Sequence, residues 1–360
     1  MTSKYLSSLS EFLTPEEQSA LKESVPDERP HPAGLLLLRE NGQSQEAVNT
    51  DLALKQVSLN DMSWLEKMKP RIIGKNVTDA AGALAELRAY GSLLGAGYAV
   101  TPVRVMAQPT PDFTISDGNS SSVVEVHAKQ FFEETEKGLL RHDKWVSEQP
   151  RSPGVSSYLR VIHPFGKPIP GKPGDTVTAN AISRICGIKP REHQFSNDMS
   201  SILWLDFQDL YTWNMSMTVA QFRPVISWNE HLTSGALWYG LYGWKGAPIF
   251  EHCHYSHLDL PSQIGRMGHD GRFLQPTKVS AVIISLPTVT ILAESSVKER
   301  QLPREIRLRY LGLPHAAIHH SIAEWTVGIV RQTLLADAAL ICGLQGSAVP
   351  PGYPTPHATT

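Results

Sequence analysis

The chain has 360 residues, 41% hydrophobic and 19% charged, a balance that supports a sizeable core and excludes wholesale disorder. A formal net charge of −2 excludes a global pull towards nucleic acid or an anionic membrane, so any polyanion site has to be a local basic patch. Three widely spaced cysteines, Cys186, Cys253 and Cys342, exclude a disulfide frame and read as reduced thiols. The opening MTSKYLSSLSEFLTPEEQ carries acids early and no apolar core of signal-peptide length, and no uncharged apolar run reaches spanning length. The expectation is a soluble, cytoplasmic protein with no membrane partner.

In chain order, the pattern divides into an N-terminal extension (1–62), a mixed α/β core with insertions (63–290), a mainly helical region (291–346) and a Pro-rich tail (347–360) expected to be disordered. In the extension, Thr14 before Pro15 and Glu16–Glu17 reads as a capped helix start, and LLLLRE (35–40) reads as a strand. NVTDAAGALAELRAYGSLLGAG predicts a helix capped by Thr78 or Asp79 and stopped at Gly95 or Gly97. YAVTPVRV (98–105) is a strand. PDFTI (111–115) and SSVVEVHAKQ (121–130) flank the turn SDGN and predict a hairpin. A helix covers 176–187, followed by two apolar runs of buried-strand type, SILWLDF (201–207) and VSAVIISLP (279–287). SIAEWTVGIVRQTLLADAALICGL (321–344) is the clearest helix of the C-terminal region. Helix, hairpin, helix and buried strand in succession predict an α/β fold, an α+β mixed sheet flanked by helices.

The second hairpin strand poses the chemical question. Alternation puts Val124, Val126 and Ala128 on one face and Glu125, His127 and Lys129 on the other. Asp112 lies on the paired strand, in reach of Glu125. Two carboxylates that close repel unless protons or a divalent cation hold them together, and oxygen ligands suit Mg²⁺ or Mn²⁺. Lys129 would add a point charge for phosphate or hydroxide. A solvated polar face with incidental ion pairs is the plain alternative. On the preceding helix, Glu86 projects with Ala83, Leu87, Tyr90, Leu93 and Leu94, whereas Arg88 and Ser92 fall opposite. Glu86 is therefore either a boundary residue that reaches solvent or a carboxylate held against the sheet.

At these residues the sequence resembles the PD-(D/E)XK nuclease superfamily, whose fold is the restriction-endonuclease-like core. That family orders a Glu-bearing helix, a strand, a Pro-Asp strand, a Glu-X-Lys strand, a helix often bearing Gln, and an apolar strand. Glu86, YAVTPVRV, Pro111-Asp112, Glu125, Gln194 in KPREHQF, and SILWLDF match in order, over roughly residues 78–207. The resemblance implies a Mg²⁺- or Mn²⁺-dependent endonuclease, with Asp112, Glu125 and Glu86 at the metal. Lys129 or His127 would be its catalytic base or electrostatic group. One departure stands out: the family's lysine position holds His127, and the lysine comes two residues later, at Lys129. Register favours His127 and charge favours Lys129. A degenerate site would leave a non-catalytic module of the same fold, binding nucleic acid or a protein partner in a larger assembly.

Between residues 137 and 172 lie Lys137, Arg141, Lys144, Arg151, Arg160, Lys167 and Lys172 against Asp143 and Glu148, a local excess of five positive charges. With Gln194, these form the candidate nucleic-acid contacts, to DNA ahead of RNA, through phosphates and with strong salt dependence. A solubilising loop is the other meaning of this stretch, and a homodimer or protein partner stays open. EHCHYSH (251–257) clusters zinc-type ligands, but with no distant pair to close a site it reads as a polar loop. Trp204, Trp213, Trp228, Trp238 and Trp244 read mainly as core or strand aromatics. Serine-hydrolase elbow, P-loop and dinucleotide fingerprints do not occur in the sequence.

Overall fold

Among the described residues, the helices before the first strand are α1 (Ser7–Phe12), α2 (Pro15–Lys22), α3 (Pro32–Leu38), α4 (Gln45–Asn60), α5 (Met62–Ile72) and α6 (Val77–Gly95). The computed structural model describes residues 7–23, 29–38, 44–103, 110–129, 137–138, 141, 145, 167–170, 172, 175–187, 195, 199–209, 225–228, 231–251, 253–254, 265–295 and 301–316. The expected helix at 321–344 and the tail lie outside them.

Helix α2 starts on a capping box. Thr14 Oγ1 accepts the Glu17 amide at 3.2 Å, and Glu17 Oε2 accepts the Thr14 amide at 2.8 Å. Leu35 to Leu38 of LLLLRE, expected as a strand, are instead the end of α3, with Ala33, Leu36 and Leu37 buried, and Arg39 and Glu40 lie outside the described residues. A short apolar run fits either period, and Pro32 at the first helical position favours the helix. The cap of α6 also differs from expectation. Asn76, not Thr78 or Asp79, turns its side-chain oxygen to the amides of Thr78 and Asp79. At the other end Gly97, at φ 82°, carries the left-handed turn that ends the helix. Arg88, expected on the polar side, is 0% exposed. The small residues Ala80, Ala81, Ala85 and Gly91 allow packing all round α6, so the helix has no wide polar face.

The rest of the chain gives β1 (Ala99–Pro102), β2 (Phe113–Ser116), β3 (Ser121–Ala128), α7 (Val177–Cys186) and β4 (Ser200–Asp206). These are followed by β5 (Val225–Trp228), β6 (His231–Ser234), α8 (Ala236–Tyr242), β7 (Pro248–Ile249), β8 (Cys253–His254) and β9 (Gly265–Arg266). Last come β10 (Ala281–Ser285), β11 (Thr290–Glu294) and α9 (Arg304–Arg309). The fold is mixed α/β, with a six-stranded mixed sheet in the order β1-β2-β3-β4-β10-β11. β1, β2 and β3 pair antiparallel, β3, β4 and β10 run parallel, and β11 returns antiparallel at the edge. Residues 290–294, at the start of the region read as mainly helical, thus form a strand. Asp117 turns the β2–β3 hairpin by accepting the amides of Asn119 and Ser120 at 3.1 Å, with Gly118 at φ 103°.

Alternation along the central strands separates two apolar layers. Phe113, Val124, Ile202, Trp204 and Ile283 pack with α6 and the N-terminal helices, including Leu9, Leu54 and Leu84. Val123, Leu203, Leu205, Val282 and Ile284 pack with α7 and α8 through Ile182, Ile185, Trp238 and Tyr242. Each such fully buried side chain contributes about 1.5–3 kcal/mol relative to exposure. The sheet is therefore fixed from both faces, and the hairpin carrying Asp112 and Glu125 inherits that rigidity.

Candidate active site

Asp112 is tied to β3 by two bonds. Its amide donates to the Val124 carbonyl at 3.0 Å, and its Oδ2 accepts the Val126 amide at 2.7 Å. The carboxylate is thereby anchored to the residue that follows Glu125. Burial pushes Asp112 up to about 7, the nearby Glu86 charge pushes the same way, and the Val126 amide and Arg71 pull it back only in part.

Glu86, on α6, is near enough to Asp112 for its charge to act on that carboxyl, and it is held by Arg71, from the last turn of α5. Arg71 Nη1 and Nη2 donate to Glu86 Oε2 and Oε1, both at 3.0 Å. Arg71 Nε and Nη2 also donate to Asp79 Oδ1, at 3.1 and 2.9 Å. The Glu86 side chain is only 17% exposed. Burial raises its pKa, and the Arg71 bonds offset part of that rise. Arg71 is the functional candidate that the sequence reading missed. Its place in KPRII carries no spacing signal, because Glu86 lies on a different helix.

On β3, Glu125 is 8% exposed. The His127 Nε2 lies 3.6 Å from Glu125 Oε1, an ion-pair distance rather than a hydrogen bond. Lys129 extends the parallel ladder by donating its amide to the Asp206 carbonyl at 2.7 Å. Burial brings its amine down to about 8, and Arg184 on α7 adds to the shift. Since Val124 and Val126 pack in the α6 layer, alternation turns Glu125 and His127 towards the α7 face, which agrees with the Lys129–Arg184 proximity. The structure thus gathers Glu86, Asp112 and Arg71 as one group and Glu125 with His127 as another, with Lys129 nearer α7.

The donor set is all oxygen apart from one imidazole, which matches a hard divalent cation in chemistry. Burial and the Glu86 charge both raise the Asp112 pKa, and such an ion would offset both. In position the set is incomplete: among the described residues, no three His, Cys, Asp or Glu side chains converge as a ready metal site.

Of the basic candidates, Arg141, Lys167 and Lys172 are exposed and Lys137 is half-buried, and Lys172 pairs with Asp175 at 3.4 Å. Lys144, Arg151, Arg160 and Gln194 lie outside the described residues. Within EHCHYSH, read as a polar loop, Cys253–His254 pair with β6 and Glu251 caps α7 by accepting the amides of Val177 and Thr178 at 3.2 and 2.9 Å, while residues 252 and 255–257 lie outside the described residues. Trp204, Trp238 and Trp244 are buried core residues. Among the described residues, no helix is long and apolar enough to cross a membrane. Comparison of the chain with protein-family models, with curated proteins and with solved structures gives no match.

Proposed function

We propose that the chain is a Mg²⁺- or Mn²⁺-dependent nuclease of the PD-(D/E)XK type, hydrolysing phosphodiester bonds of nucleic acid, with DNA the first substrate to test. One observation carries the reading: Asp112 is stitched to β3 beside Glu125, within the succession α6–β1–β2–β3–α7–β4 that the sequence resemblance implies. Asp112 and Glu86 would hold the cation from the α6 side, and Glu125, which alternation turns towards α7, would complete the set only by turning its carboxylate from that face. When bound, the ion would acidify water and offset the charge that develops on phosphate. Lys129 would orient or deprotonate the attacking water and steady the phosphate oxygens, and its lowered pKa lets it do either near neutral pH. His127 is the competing candidate for the same task.

The test is cleavage of plasmid, single-stranded DNA and RNA with Mg²⁺ or Mn²⁺, compared with Glu125→Ala. Cleavage that needs the ion and is lost in the variant supports the proposal. Intact substrates under every condition sink it as an active nuclease.

A second reading, a catalytically inactive module of the same fold, is favoured by two features. His127 stands at the family's lysine position, and Arg71 engages both oxygens of Glu86. It expects nucleic-acid or protein binding that neither Mg²⁺ nor Glu125→Ala alters.

A further inference from the structure

Both carboxylate oxygens of Glu86 accept from a single guanidinium, and that guanidinium has a second anchor. Arg71 reaches Glu86 with Nη1 and Nη2, while Nε and Nη2 rest on Asp79, whose side chain is 45% exposed. It is a permanent cation, because arginine does not deprotonate in proteins. Glu86 is the inner anchor and Asp79 the outer one. A divalent ion that used Glu86 would bind the oxygens that already accept from Arg71, and although each oxygen has a second lone pair, two cations at contact distance on one carboxylate repel. Letting go of Glu86 would not strand Arg71, since Asp79 keeps it near the surface.

We propose that Arg71 is an internal counter-cation, occupying Glu86 until a divalent ion displaces it and so setting the affinity of the site for that ion. The proposal rests on the metal-site reading above. It also accounts for a Glu86 charge that acts on Asp112 while its own oxygens are held by Arg71: the place of a cation is filled from within the chain. Arg71 is a positioning residue here, acting through Glu86.

The experiment is Mn²⁺ titration of the full chain at about pH 8, followed by the resonance of free Mn²⁺, with circular dichroism to verify folding. Arg71→Met should bind Mn²⁺ about tenfold more tightly than the natural chain, from removal of a nearby like charge. Arg71→Lys should gain less, because an ammonium keeps the charge but cannot fork across both oxygens. In Arg71→Met combined with Glu86→Gln, the gain should disappear. Equal or weaker binding in both Arg71 variants overturns the proposal. A gain that survives Glu86→Gln does so as well, since Arg71 would then act only as a distant charge. If the natural chain and the Arg71 variants all bind no Mn²⁺, the metal-site reading falls, and this proposal with it. If the natural chain binds and Glu125→Gln does not, the reading stands, and the Arg71 variants decide the proposal alone.

Discussion

Arg88 and Asp206 form a forked ion pair inside the protein, with Nε and Nη2 donating to the two carboxylate oxygens at 3.0 and 2.8 Å and both side chains 1% exposed. Burial opposes both charges most strongly. Asp206 and then Asp209 nevertheless keep the guanidinium firmly protonated. Breaking such a pair from one side strands a buried charge, which costs about 3–5 kcal/mol, whereas replacing both partners with apolar groups can be close to neutral. Arg88→Met alone should therefore lower unfolding stability in urea by about that amount. Arg88→Met with Asp206→Leu should recover most of the loss. Additive losses in the double variant would contradict this view of the pair.

Asp112 should make stability fall as pH rises. Its native carboxyl titrates at about 7, above the ordinary carboxylate range in which the unfolded chain titrates. Between those values the folded form binds more protons, so stability drops through that window and the loss is complete above about 7. Asp112→Asn, which can still accept the Val126 amide, should be more stable than the natural chain by about 1–2 kcal/mol at pH 8. The difference should vanish near pH 4. Thermal melts at the two pH values check it, and a constant offset would rule out the charge as the cause.

Lys129 and His127 separate by kinetics. Lys129→Ala should lose two or more decades of Mg²⁺-dependent cleavage, while His127→Ala keeps most of it. With the amine titrating at about 8, a role for its positive charge makes kcat/KM fall as pH rises through that value. Full activity in Lys129→Ala with loss in His127→Ala would transfer the role to the imidazole, the group at the register position.

The crossing of α4 and α6 admits no methyl group. A Cβ at Gly91 would lie 2.4 Å from the Ala53 Cα and 2.6 Å from its carbonyl oxygen, both backbone atoms that cannot step aside. Gly91→Ala should destabilise the protein by about 1–3 kcal/mol or more despite its better helix propensity. Unchanged urea unfolding would mean that the helices slide apart at little cost.

The sequence was most legible where one strong local cause dominates. The hairpin came from Asp117-Gly118 between apolar runs, β4 and β10 from continuous apolar stretches, and α6 from its alanines and leucines. LLLLRE misled because four leucines carry no period. The strands β5 to β9 have two to four residues each, too few to carry a pattern. α4 and α5 went unread because polar residues interrupt their apolar stripes. For the candidate site, strand alternation singled out Glu125, His127 and Lys129, the paired strand's Pro-Asp opening singled out Asp112, and helical phase singled out Glu86. Arg71 was not, because its partner lies 15 residues away across a helix junction. Arg88 misled for a related reason: a charge that is paired inside looks, in sequence, like a charge in water.

The parallel register of β3, β4 and β10 has a consequence for the order of folding. These strands begin at Ser121, Ser200 and Ala281, so every neighbour in the middle of the sheet is recruited across a long interval of chain. Apart from the β10–β11 hairpin at the far edge, the β1–β2–β3 meander, backed by α6, is the part of the sheet assembled from nearby residues. A chain emerging from the ribosome can form that meander early, with Val123 uncovered on the face that awaits α7 and with the free edge of β3 open to stray pairing. Closure waits until Ser285 has been synthesised, which predicts slow folding and a premature fragment that chaperones would hold.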